Sequence, residues 1–370
     1  MVNGKNWGNR PWSVDFTPAR RELPASVDFA IAGGGFTGLA TAGWLKRLAP
    51  ENSVALFEAD VIGAGSSGHT GAVVLAESAV GDLPGLGDVL AGYKEILGNL
   101  EVEADLKLPG AYEIGRSSAI ENSPIRWKDS GDLCVVKEVP GGSVNPGKVV
   151  SGLAKAAERL GVLLFEHAPV EELKFSSSID PVELHSAAGV TRATQVLCAT
   201  NAFALELTGL QDRAQSAFTT AIMTEALSED VIQQIGLGEG KPFYTIDLPY
   251  LWGRLLENAV IFGSGLVFFD DWCGLNTLDI NEGEAVEVFE RLEKRVRKLH
   301  PALRDVKFTH RWGGPICIAE DWKPVFERHR ESKNVIVLAA FSGHGVAQSV
   351  YLGAWAAEAL LGRRPLPSWK

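Results

Sequence analysis

The run Val27–Ala32 (VDFAIA) passes straight into Gly33-Gly34-Gly35-Phe36-Thr37-Gly38, and then into the Ala/Leu-rich stretch Leu39–Leu48. The first run is short, apolar and β-branched at its start, which predicts a buried parallel strand; the second has helical periodicity. Pro50 and Asn52 close that helix, Ser53–Phe57 predicts the next strand, and Glu58 follows 20 residues after Gly38. Each part has a physical job. Gly33 permits a tight turn, Gly35 lets backbone approach a pyrophosphate, and Gly38 lets helix and strand pack closely. The helix N-terminus offers unpaired N–H groups and a positive dipole to the phosphates. Glu58, at the carboxyl end of the second strand, can accept from ribose hydroxyls and would repel a 2′-phosphate. An adenine dinucleotide is therefore expected here, FAD or NAD.

The next segment bears on that choice. Gly63-Ala64-Gly65-Ser66-Ser67-Gly68-His69-Thr70-Gly71-Ala72 forms a second small-residue loop before the apolar run Val73–Ala76. A nicotinamide cofactor needs no second cradle directly after the ribose acid, whereas the longer flavin path does. Far downstream, Asn334–Phe341 predicts a strand, Ser342-Gly343-His344-Gly345 a turn, and Val346–Leu361 a helix stopped by Gly362 and Pro365. That turn feeds a further helix N-terminus, whose dipole could stabilise an anionic reduced flavin.

Composition narrows the class. At 370 residues the chain exceeds what one core usually fills, so two domains are expected. A net charge of −11 without any Lys/Arg block argues against nucleic acid. The four cysteines (Cys134, Cys198, Cys273, Cys317) lie far apart, with no zinc-ribbon spacing and no disulfide framework. No apolar h-region opens the chain and no run approaches the ~18 apolar residues of a membrane span, so a cytoplasmic protein is expected.

With AIAGGGFTGLATAGWL, FEAD, GSSGHTG, VNPGKVVSGLAKAAERLGV, VLCATNAF, RWGGP and FSGHGVAQS in that order between residues 27 and 361, the chain resembles the D-amino-acid oxidase superfamily of FAD-dependent oxidoreductases. It looks closest to the branch of gamma-glutamylputrescine oxidase, sarcosine oxidases and dimethylglycine dehydrogenase. The resemblance implies an α/β chain with a discontinuous Rossmann-like FAD-binding domain (1–84, 143–212 and 311–370). An α+β substrate domain on an antiparallel sheet takes 85–142 and 213–310. It implies cofactor contacts from Gly33, Gly34, Gly35, Phe36, Thr37, Gly38, Glu58 and Ala59. Further contacts fall on Ser66, Ser67, Gly68, His69, Thr70, Gly71 and Ala72, and on Val170, Thr200, Asn201, Gly313 and Gly314. The last block is Ser342, Gly343, His344, Gly345, Val346 and Ala347.

The implied reaction is hydride transfer from the carbon of a substrate C–N bond to flavin N5, with hydrolysis of the imine. The cofactor carries the chemistry and the protein positions and tunes it. A FAD-dependent 2-hydroxy-acid dehydrogenase, a non-catalytic FAD-binding subunit and an NAD dehydrogenase are the competing readings. The expected partners are a small amine or amino-acid derivative and an unassigned electron acceptor, oxygen or another carrier. His69 stands where some members attach FAD covalently to histidine, so a bond and a plain contact both stay open. His344 could meet the flavin edge or the substrate, or serve only through its backbone. Arg254 and Arg311 are candidate carboxylate anchors, each also readable as a salt-bridge residue, because RWGGP lacks the Arg that true α-amino-acid oxidases carry there. Tyr250 and Trp252 would share one strand face as a wall beside the flavin, or pack the core. Ala347 stands where sarcosine oxidases have a Lys that activates oxygen. Cys317, Trp7 and Trp12 are read as packing residues, and Glu257-Asn258 as the turn of a hairpin.

Overall fold

The computed structural model describes residues 5–116 and 119–369. Five strands form a parallel core in the spatial order Leu163–Phe165, Val54–Phe57, Ser26–Ala32, Gly189–Cys198 and Val335–Ala339. Val325–Arg328 adds an antiparallel edge, and the Val170–Lys174/Val182–Ser186 hairpin branches from the long fourth strand. Apolar runs fully buried on both faces explain the parallel pairing. Helices Phe36–Leu48, Pro146–Arg159 and Gly345–Leu360 pack with Phe29, Ile31 and Leu56 of the sheet in one core. Asn145 caps the second of these helices by accepting from Lys148 N–H at 3.2 Å, and Pro146 starts it.

The second sheet has eight strands, in the order Phe308–Ala319, Ala214–Thr224, Ala259–Phe268, Trp252–Leu256, Phe243–Thr245, Ala111–Gly115, Asp132–Val139 and Arg126–Lys128. All its pairs are antiparallel except Phe243–Thr245 with Ala111–Gly115. The Trp252–Leu256/Ala259–Phe268 hairpin turns at Glu257, whose φ is +52°. Phe218 and Ile222 pack into a core with Val288, Phe289 and Leu292 of the amphipathic helix Gly283–Leu299. Thr219, Ala221, Trp252, Tyr244 and Glu113 instead line a cavity between the two sheets. A nucleotide-binding parallel layer plus an antiparallel substrate sheet is the expected architecture.

Two segment limits differ from expectation. Helix Val89–Asn99, expected with the substrate sheet, buries Val89, Tyr93, Ile96 and Leu97 in the core of the parallel layer. The expected limit at residue 311 falls inside strand Phe308–Ala319, which pairs along its length with Ala214–Thr224. Gly313 and Gly314 therefore reach the cavity from the edge of the antiparallel sheet. Among the described residues no helix is long and apolar enough to cross a membrane.

Helices Phe36–Leu48 and Gly345–Leu360 are packed against each other at Gly353, where a Cβ would stand 2.8 Å from Thr37 O and 3.2 Å from Ala40 Cβ. Gly353→Val should force the helices apart and cost about 1–3 kcal/mol, read as a lower denaturant midpoint at constant slope. An unchanged midpoint would show that the contact is slack.

Candidate active site

The parallel strands end at a cavity of about 1400 Å³, larger than the ~300–1,000 Å³ of pockets for single drug-sized ligands. Gly33 turns the chain with φ +112°, and a Cβ there would stand 2.5 Å from Ala199 O. At Gly38 a Cβ would lie 2.0 Å from Gly33 O, so this glycine serves the turn itself and does not line the cavity. Gly35 precedes helix Phe36–Leu48, whose N-terminus has no side-chain cap of its own and no acid in its first turn. Glu58 accepts from Gly34 N–H at 2.7 Å and Asp60 N–H at 3.0 Å. Burial pushes its carboxyl up, and the two backbone donors pull it down. Phe36, Thr37, Ala59 and Val170 line the same end.

The second small-residue segment is not wholly a loop: Ser66–His69 forms one helical turn. Ser67 Oγ accepts from Phe36 N–H at 2.8 Å, and Gly63 N–H donates to Gly34 O at 3.1 Å, tying this turn to the first cradle. At Gly68 a Cβ would stand 2.2 Å from Gly63 O, so Gly68 closes the turn and contributes no cavity surface. His69 lines the cavity. Its Nδ1 lies 3.0 Å from Gly65 O, and Arg10 Nη1 lies beside the ring, 3.1 Å from Nδ1 and 3.2 Å from Nε2. Burial, reinforced by the Arg10 guanidinium, lowers its pKa to about 3, so the imidazole is neutral. A neutral ring donates from Nδ1 to Gly65 and accepts at Nε2 from Arg10. Trp7 meets the ring edge-on at 5.2 Å, and Trp12 Nε1 donates to Gly68 O at 2.8 Å. The N-terminal tryptophans thus pack, as expected, but they pack on the site.

Asn201 joins three segments. Its Nδ2 donates to Ser66 Oγ at 2.9 Å, and its Oδ1 accepts from Ala340 N–H at 3.1 Å. Ser66 Oγ in turn donates to Pro315 O at 2.6 Å. Asn201, Ala72, Ala340 and Ser342 all have φ between +49° and +62°, a costly backbone state for non-glycine residues that concentrates at functional sites. The turn Ser342–His344 leads into helix Gly345–Leu360, again with no side-chain cap and no acid in the first turn. His344 Nδ1 lies 3.3 Å from Ser342 O, and burial lowers its pKa. Ser342, Gly343, Gly345 and Val346 line the cavity; Ala347 is buried one residue further on and does not.

The roof corrects several assignments. Arg254 is 4% exposed and lies behind the wall, with its Nε donating to Gly71 O at 2.8 Å. Burial lowers its pKa to about 10. It props the Gly71 segment through Nε, its Nη2 is buried without a hydrogen-bond partner, and it is not among the residues lining the cavity. Arg311 pairs with Glu293 at 2.5 Å, also outside the cavity. Trp252 is wedged between backbones: a Cβ on Gly71 would stand 1.9 Å from its ring, and one on Gly263 2.0 Å. Tyr250 precedes the strand; its hydroxyl donates to Gly265 O at 2.9 Å and meets Thr219 Oγ1 at 2.9 Å. Both line the cavity, with Trp252 acting mainly as a spacer for the segment that carries Thr70, Gly71 and Ala72. Gly313 and Gly314 line it too, and a Cβ on Gly314 would stand 2.8 Å from His69 Cβ. Cys317 is a buried thiol raised to about 12 by burial. The sequence reading missed Arg10, and it missed Glu77, Glu113 and Tyr244, which meet in the cavity wall.

The arrangement fits a flavin dinucleotide. Two helix N-termini without a cap from their own N-cap residue open on one cavity, and a Cβ at Gly35 would come 2.8 Å from Ser67 Oγ and close the gap between the cradles. In the wall, Thr200 Oγ1 and Ser349 Oγ are buried without any hydrogen-bond partner. Donors and acceptors buried without partners cost free energy unless a ligand completes them. Asn201→Leu would leave Ala340 N–H and Ser66 Oγ short of partners. It should cost about 1–3 kcal/mol of stability and reduce the flavin-to-protein ratio after purification. Full flavin content and unchanged stability would remove Asn201 from the site.

Comparison with known proteins agrees with this geometry. The family described as FAD dependent oxidoreductase (DAO) matches residues 28–359. The probable oxidoreductase OrdL of Haemophilus influenzae is 29% identical over 227 residues, covering 60% of this chain and 48% of that protein. The sarcosine oxidase subunit beta of Rhizobium meliloti is 23% identical over 366 residues, covering 89% of this chain and 82% of that one. Glycine oxidase from Geobacillus kaustophilus superposes with a TM-score of 0.71 at 19% identity, over 94% of this chain and 97% of its own. The chain belongs to the D-amino-acid oxidase family of FAD-dependent oxidoreductases.

Proposed function

We propose that the chain oxidises the C–N bond of an amine or amino-acid derivative to an imine, which water then hydrolyses. The carrying observation is that both helix N-termini and the antiparallel roof open onto the same cavity. Gly33–Phe36 and Ser66–Ser67 would hold the pyrophosphate, Glu58 the ribose, and the His69–Ala72 and Ser342–Val346 segments the ring system. When bound, FAD supplies the two-electron acceptor for the hydride leaving the substrate carbon. The chain's own residues do the rest. His344, neutral and donating from Nδ1 to Ser342 O, leaves Nε2 as an acceptor that orients the substrate N–H. Tyr250 and Trp252 close the roof and exclude water.

Neither histidine is a strong base, because burial lowers both pKa values from the ordinary 6.5 and His69 falls to about 3. Both are therefore already neutral above that ordinary value and do not titrate between pH 7 and 9. Hydride departs only from a neutral amine, whose own pKa lies near ~10. For an amine substrate, kcat/KM should rise about tenfold per pH unit toward that value, with no break between pH 6 and 7. A rate that levels off near pH 7 would assign a histidine base and contradict this reading.

His69 is best read as a non-covalent flavin contact. Both ring nitrogens already have polar neighbours: Nδ1 lies 3.0 Å from Gly65 O, and Arg10 Nη1 lies 3.1 Å from Nδ1 and 3.2 Å from Nε2. Acid precipitation of the holoenzyme should release all FAD to the supernatant. Yellow colour retained in the pellet would show that Arg10 yields and the bond forms.

A further inference from the structure

Glu113 and Tyr244 are register partners across the parallel strand pair of the roof, and Glu77 follows strand Val73–Leu75. Tyr244 Oη lies 2.8 Å from Glu113 Oε1 and also contacts Glu77 Oε1. All three line the cavity. Burial, then the two carboxylates, raises the Tyr244 pKa, so the residue stays a neutral phenol. One phenol proton serves two carboxylates: Tyr244 can donate to one, and the other contact lacks a proton. The rest of the lining does not supply a counter-charge. Among the described lining residues Lys5 is the single Lys or Arg, and it is paired with Asp60. The acids number six: Glu58, Asp60, Glu77, Glu113, Glu171 and Glu206. Arg311 pairs with Glu293 outside the cavity, and Arg254 stands behind the lining, its Nε on Gly71 O and its Nη2 buried without a hydrogen-bond partner.

A second observation lies on helix Gly345–Leu360. His344 at its start is in electrostatic range of Glu77, and Ser349, one turn on, is 5% exposed with its hydroxyl unpartnered in the cavity wall. A ligand with several N–H donors would complete what these groups lack, and an ammonium brings three. A carboxylate would meet like charges and find no cation.

We propose that Glu77 and Glu113, bridged by Tyr244, bind a second, cationic group of the substrate. The preferred substrates are then amines carrying a distal ammonium, not amino acids held by their carboxylate. The inference rests on the reading of the cavity as an amine-oxidising site, and makes Glu77 and Glu113 specificity-determining residues of that site.

Three probes of matched length separate the cases: 1,6-diaminohexane, hexylamine and 6-aminohexanoate. Each is offered to the holoenzyme twice, once anaerobically to read flavin bleaching, and once with the flavin pre-reduced by dithionite to read binding by calorimetry without turnover. The diamine should bind at least about tenfold tighter than hexylamine, and the amino acid weakest. Glu113→Gln, which keeps the side-chain shape, should weaken diamine binding by about 30-fold or more, the scale for breaking a desolvated charge pair. The change should appear in KM more than in kcat, with the diamine-to-hexylamine ratio falling toward one. Glu77→Gln gives the same readout should the first variant fold poorly. A preference for 6-aminohexanoate, or a diamine advantage that survives both substitutions, overturns the inference. Bleaching by α-amino acids alone would also overturn it while leaving the proposed function standing. A loaded flavin that no amine or amino acid bleaches would remove the proposed function itself, and the inference with it.

Discussion

Two helices end on one cavity without covering their own first turns, and the rest of the site is arranged around that fact. The N–H groups at the starts of Phe36–Leu48 and Gly345–Leu360 carry partial positive charge, with Phe36 N–H taken by Ser67 Oγ. Parallel pairing places both starts at the same edge of the sheet, because each helix follows a strand running in the same direction. The glycines then serve the approach of a ligand to those groups. Asn201 fixes the spacing between them, since one amide bonds both the Ser66 turn and the Ala340 turn. Strained residues at Ala72, Asn201, Ala340 and Ser342 are tolerated because this network over-determines them.

The antiparallel sheet contributes a roof of different chemistry. Its contacts with the cofactor side are largely steric: Trp252 fills the space above Gly71, and Gly314 lets His69 pack against the edge strand. Its strand Ala111–Gly115 brings Glu113 into the lining, while Arg254 and Arg311 are not lining residues. Neutral histidines and an acid-rich lining together describe a pocket that offers no imidazolium to a substrate. Such a pocket suits a reaction in which the cofactor takes the hydride and the substrate supplies its own lone pair.

How much of this was legible in the sequence depends on how far apart the partners lie. The first cradle, the second cradle and the Ser342–Gly345 turn are contiguous stretches, so spacing alone exposed them. Thr200 and Asn201 were reached through the family resemblance, which puts a cofactor contact on the turn after Gly189–Cys198. Arg254 was misassigned because alternation on a strand does not say which face a long side chain finally takes; here its Nε reaches the Gly71 carbonyl behind the wall. The helical turn at Ser66–His69 was hidden by glycines that suggest a loop. Glu77, Glu113 and Tyr244 were invisible because Tyr244 stands 131 residues from Glu113 and 167 from Glu77, and they meet only through one parallel pair in a sheet otherwise antiparallel. The contact of Arg10 with His69 likewise spans 59 residues and depends on an N-terminal segment without regular structure.

The central claim is that a flavin bound between the two cradles takes electrons from an amine held under the acidic roof. Anaerobic titration of the purified holoenzyme with 1,6-diaminohexane, followed by the flavin's long-wavelength absorbance, tests it most directly. The account predicts stoichiometric bleaching that reverses when an electron acceptor is added. A purified protein without flavin, or a bound flavin whose absorbance persists through the titration and is bleached by a 2-hydroxy acid instead, would contradict it.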